Sequence, residues 1–64
     1  MTFKKTSSDT WEASSKNRIF FIDREDIANK EYIYILTILD GFKELEKPLA
    51  FYKLNKAKQY AKQY

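Results

Sequence analysis

The 64 residues include no cysteine and no histidine, one glycine and one proline. Without thiols or imidazoles the chain cannot build a disulfide framework, a zinc finger, an iron–sulfur cluster, a cysteine nucleophile or a Ser-His-Asp triad, which removes most catalytic and metal chemistry. No apolar run approaches the roughly 20 residues that cross a bilayer, and the opening MTFKKTSSDTW lacks the apolar core of a secretory signal. A cytoplasmic protein without membrane contact is expected. One Gly and one Pro leave little linker, so residues 1–64 are expected to form one small domain with no room for a separate catalytic one.

What is present is apolar and aromatic. Hydrophobic residues make up 44% of the chain and aromatics 17%, well above a disordered composition. The net charge of +3 conceals an asymmetry: residues 1–46 carry seven Lys/Arg and nine Asp/Glu, residues 47–64 five lysines and no acid. The positive field belongs to the C-terminal end.

Residues 1–10 are polar, Ser/Thr-rich and without period, which reads as a mobile tail, with an edge strand as the alternative. Arg18-Ile19-Phe20-Phe21-Ile22-Asp23 is a short β-branched and aromatic run that suits a strand, and Trp11–Ala13 can pair with it through the turn Ser14-Ser15-Lys16-Asn17. The charged stretch Asp23–Lys30 reads as a loop in which Asn29 tolerates the left-handed conformation. Glu31–Leu39, EYIYILTIL, is the most apolar stretch and favours a strand; a helix over residues 23–39 competes, because Ala28, Tyr32, Ile35, Leu36 and Leu39 also share a helical stripe. Asp40-Gly41 marks a turn of type I′. Pro48 cannot donate to a ladder, which places Leu49–Lys53 at a sheet edge. From Leu54 the period becomes helical: Leu54, Ala57, Tyr60, Ala61 and Tyr64 share one stripe, a helix of about three turns that must dock to persist.

These elements define an α+β fold, a small antiparallel sheet of three or four strands with one C-terminal amphipathic helix packed on one face. Both alternations of the long strand are apolar, Ile33, Ile35, Thr37 and Leu39 on one side and Tyr32, Tyr34, Leu36 and Ile38 on the other. A half-covered antiparallel sheet should be polar outside.

The run Leu54-Asn55-Lys56-Ala57-Lys58-Gln59-Tyr60-Ala61, after strands that include Trp11-Glu12-Ala13, resembles the strand-then-helix ending of small uncharacterised phage and mobile-element proteins. It is similar as well to the three-stranded sheet plus helix of the arm-binding domains of tyrosine recombinases, a resemblance that implies a larger parent chain.

Three constellations bear on function. Asp23, Glu25 and Asp26 offer oxygens to a hard cation, but Arg24 and Lys30 intervene and no EF-hand spacing is present, so a solvated loop is expected, with no metal and no cofactor. Lys53, Lys56, Lys58 and Lys62 could contact phosphates, although they spread around the helix and no Arg supplies bidentate base reading. Trp11, Phe20, Phe21, Tyr32, Tyr34, Phe51 and Tyr52 could stack on bases, yet such rings more often form core or a protein contact. The expectation is a non-enzymatic small binding or regulatory protein that engages a protein partner, or a second copy as a homodimer, through Tyr32, Tyr34, Leu36 and Ile38. The alternative is a nucleic-acid-binding module using Lys53, Lys56, Lys58 and Lys62 with the sheet aromatics.

Overall fold

The computed structural model describes residues 1–64, and strand dominates the first 51. The elements are β1 (Lys4–Ser7), β2 (Thr10–Ser15), β3 (Arg18–Ala28), β4 (Glu31–Asp40), β5 (Lys43–Glu44), β6 (Leu49–Phe51) and α1 (Leu54–Ala61). Every neighbouring pair is antiparallel, in the order β1-β2-β3-β4, and the far side of β4 is shared by β5 and β6. No helix is long and apolar enough to cross a membrane.

The spine is the β3–β4 hairpin. Arg18 pairs with Asp40 at one end and Asp26 with Tyr32 near the other, and Asn29 (φ 47°) and Lys30 (φ 64°) close the turn. Two consecutive positive φ values are the signature of a type I′ turn, whose twist matches that of the strands it joins. The expected loop over Asp23–Lys30 is therefore strand as far as Ala28. Alternating charged residues suit a ladder whose two sides both meet water, and the β-branched and aromatic β4 supplies the template. The helical alternative for residues 23–39 is replaced by the same ladder.

Sheet width also exceeds the expected three or four strands. Lys4–Ser7, expected as a tail, pairs with β2 as an edge strand carrying a bulge between Lys5 and Ser7. On the other edge Leu45–Pro48, four residues, face only Thr37 and Ile38 on β4, so the chain bulges and splits this edge into β5 and β6. Pro48, which lacks an N–H, sits in that bulge. The turn at Gly41 lies one residue later than expected: Asp40 pairs with Lys43, and Gly41 alone takes a positive φ, 65°, as a type II′ turn requires at its first central position.

One side of the sheet holds the core. Trp11 and Ala13 of β2, Phe20 and Ile22 of β3, and Leu36 and Ile38 of β4 are buried together with Ala57 and Ala61 of α1. The two alanines are fully buried, because a methyl group lets the helix approach the sheet closely. α1 has eight residues rather than the expected three turns. Its last turn tightens, with Gln63 N–H bonded to the Tyr60 carbonyl and Tyr64 N–H to that of Ala61, both at 3.1 Å. Its start has no side-chain cap and no acid in the first turn, so docking must hold it.

Candidate association surface

Two clusters lock the helix side. The edge bulge turns Glu46 toward α1, where its carboxylate accepts hydrogen bonds from the Tyr60 hydroxyl, at 3.1 and 3.2 Å, and from the Tyr64 hydroxyl. Tyr60 lies between the rings of Phe51 (5.6 Å) and Tyr64 (5.9 Å), and Arg18 donates to the Tyr64 carbonyl at 2.7 Å. Hydrogen bonding to Glu46, reinforced by Tyr60, raises the Tyr64 phenol above its ordinary pKa. At the distal end Arg24 donates from Nε and Nη2 to Asp9 (3.1 and 2.7 Å), and its guanidinium stacks 4.7 Å over Tyr32. Tyr34 meets Trp11 edge-on at 5.9 Å. The hydrogen bond to Asp9 raises the Arg24 pKa further above its normal value.

The opposite face has no such cover. Pairing places Ile19 and Phe21 of β3 beside Leu39 and Thr37 of β4, with Ile33 and Ile35 continuing the stripe, and all six are half-buried. α1 packs on the other side, and no second layer covers this one. Carboxylates flank the stripe through the register: Glu12 opposite Phe21, Asp23 opposite Ile35, Glu25 opposite Ile33 and Glu44 opposite Leu39. Glu31 extends the same face, where Lys4, paired with Glu12, is the one cation the ladders place. None of these five carboxylates is in an ion pair; the two ion pairs of the molecule are Arg18–Asp40 and Arg24–Asp9.

The residues expected to meet a partner lie on the other side. Leu36 and Ile38 are 1% and 2% exposed beneath the helix layer, Tyr34 packs against Trp11, and Tyr32, under the Arg24 guanidinium, stays exposed. Of the four expected residues Leu36 and Ile38 are therefore core, and the face without a covering layer carries Ile33, Ile35, Thr37 and Leu39. A signal for this existed. β2 alternates polar Thr10, Glu12 and Ser14 with apolar Trp11 and Ala13, and its tight turn into β3 carries that polarity across to Phe21 and then Thr37.

The lysines divide. Lys53 and Lys56 line an open groove of about 550 Å³ between β6 and α1, with Phe51, Tyr52, Tyr60 and Gln59, and no acid contributes to its wall. Lys58 and Lys62 lie outside that groove. Tyr52 is 81% exposed at its edge, whereas Phe20 and Trp11 are core, so the seven aromatics form no single platform. Asp23 and Glu25 fall on the open face and Asp26 on the helix side, so these three carboxylates do not converge. Comparison with known protein families, with curated proteins and with solved structures gives no match.

Proposed function

We propose that this is a non-enzymatic binding protein that works by association through the outer face of its sheet, the face of Phe21, Ile33, Ile35 and Leu39. The supporting observation is that this apolar stripe has no covering layer although the core is only eight residues. Its side chains are half-buried by their own neighbours, and a contiguous, partly exposed apolar patch of this kind suits an interaction site. Both edges favour the face over strand addition: β1 is short, lysine-bearing and bulged, and the other edge is broken by the Pro48 bulge. Sedimentation of the chain, with capture of partners from its native host, tests the reading. Ile35→Lys should abolish association while leaving thermal unfolding within a few degrees of wild type. Unchanged association by Ile35→Lys and Phe21→Lys would refute it.

A second reading rests on the groove, where the exposed Tyr52 ring stands beside Lys53 and Lys56 in a wall free of carboxylates. That combination suits a base stacked on tyrosine with its phosphate on lysine. Affinity for a single-stranded oligonucleotide should then fall with salt, with a slope of about 0.7 per phosphate neutralised.

A further inference from the structure

Unpaired charge is unevenly distributed across the thickness of this molecule, since Asp9, Asp40 and Glu46 on the helix side are engaged by Arg24, Arg18 and the Tyr60 hydroxyl. The outer sheet face carries Glu12, Asp23, Glu25, Glu31 and Glu44, none ion-paired, against Lys4. The opposite side carries the groove of Lys53 and Lys56 and the remaining lysines of α1, also without ion pairs, in a segment that has no acid after Glu46. Each side also offers apolar surface, largely aliphatic beside Phe21 on the sheet and aromatic in the groove through Phe51 and Tyr52.

We infer that copies of this chain associate head to tail, the carboxylate-flanked outer face of one receiving the β6–α1 groove and its lysines from the next. The inference rests on the outer face being the association surface, and it names the occupant. A symmetric face-to-face pair would bring two sets of five carboxylates together around a drying apolar stripe, where like charges repel strongly. The head-to-tail arrangement opposes lysines to those carboxylates. It also accounts for the exposed Tyr52 ring, which enters the aliphatic stripe as an aromatic anchor of the kind that dominates interfaces. The molecule measures 38 × 22 × 19 Å, so its broad side is of the order of the roughly 800 Å² that each partner gives a standard interface. Because the two surfaces are different patches, the contact is heterologous, and it builds a ring if the rotation between copies closes and an open filament if it does not.

Charge reversal on each side separately, followed by mixing, tests this. Glu25, Glu44, Lys53 and Lys56 are all exposed, so Glu25→Lys/Glu44→Lys and Lys53→Glu/Lys56→Glu should both fold. In sedimentation the wild-type mass should rise with concentration and fall as salt goes from about 0.05 to about 0.5 M, a range over which the screening length shrinks severalfold. Either variant alone should associate at least about tenfold more weakly, and an equimolar mixture should recover association. Association of Lys53→Glu/Lys56→Glu equal to wild type, with no recovery on mixing, would overturn the head-to-tail arrangement in favour of a symmetric face-to-face pair. A wild-type chain that stays monomeric at all salts, or that binds a single-stranded oligonucleotide through Lys53 and Lys56 instead, overturns it too. Ile35→Ser, which keeps every charge, separates the two levels: association that survives it removes the outer face itself from the account, whereas its loss keeps the face and leaves only the occupant in question.

Discussion

Tyr34 and Ile35 are consecutive in β4, yet Tyr34 packs edge-on against Trp11 on the helix side while Ile35 stands between Asp23 and Ala50 on the open face. The two faces are built from the same β-branched and aromatic alphabet. Their difference lies in what surrounds that alphabet. On the helix side the large side chains other than Tyr52 have a cover or a clamp: Phe20 and Leu36 lie in the core closed by Ala57 and Ala61, and Tyr60 is bonded to Glu46. On the open side the neighbours are carboxylates, which keep the face hydrated. Apolar content alone does not distinguish the covered face from the open one; cross-strand partners do.

The comparison breaks most visibly at the helix contact. Ala57→Glu places an unpaired charge in the packed layer at a cost of about 3–5 kcal/mol, most of what a domain of this size holds. No folded baseline should remain in thermal melting, and a variant as stable as wild type would mean that α1 is not docked through Ala57.

Next in size is the neighbouring pair in β4. Tyr34→Lys should lower stability by about 1–2 kcal/mol, through loss of the Trp11 contact and of buried area, while sparing association. Ile35→Lys should do the reverse, changing stability by about 1 kcal/mol or less and abolishing association. Denaturant titration beside sedimentation reads both, and the same pattern from both variants would erase the distinction between the faces.

A smaller effect sharpens the account of the distal hairpin. Lys30 holds a φ of 64° that disfavours a side chain. Lys30→Gly creates Asn-Gly, the preferred type I′ pair, and should stabilise by about 0.5–1 kcal/mol. A destabilised variant would show that the turn is not of this type.

The smallest effect is protonic. The Tyr64 phenol, hydrogen-bonded to Glu46, is raised above the ordinary 10.0 and stays protonated where a free tyrosine ionises. Its contribution to stability is therefore complete below the ordinary value and disappears as pH climbs through the raised one. Ultraviolet titration should show one late tyrosine that returns toward the normal range in Glu46→Gln.

Much of this was legible from residues alone. The strand Arg18–Asp23, the strand Glu31–Leu39, the turn before Arg18, the edge placement after Pro48 and the inward alanines of the helix all follow from propensity, period and turn chemistry. β1 was less legible, because Lys4–Ser7 has no apolar side chain to bury and becomes strand only by completing the edge of β2. The distal part of β3 was hidden for the same reason: its charged residues pair because β4 is opposite them, a nonlocal fact.

Local chemistry by itself determined that this chain forms a sheet with a docked helix, since side-chain period and backbone preference act over a few residues. Tertiary structure decided which face of β4 is core. Both alternations of that strand are apolar, so the choice falls to residues remote in sequence: Trp11 and Phe20 deepen one side, Ala57 and Ala61 close it, and Glu12, Asp23, Glu25 and Glu44 line up on the other through register alone. Burial energy depends on what lies opposite a side chain, and that is set only when the strands have paired.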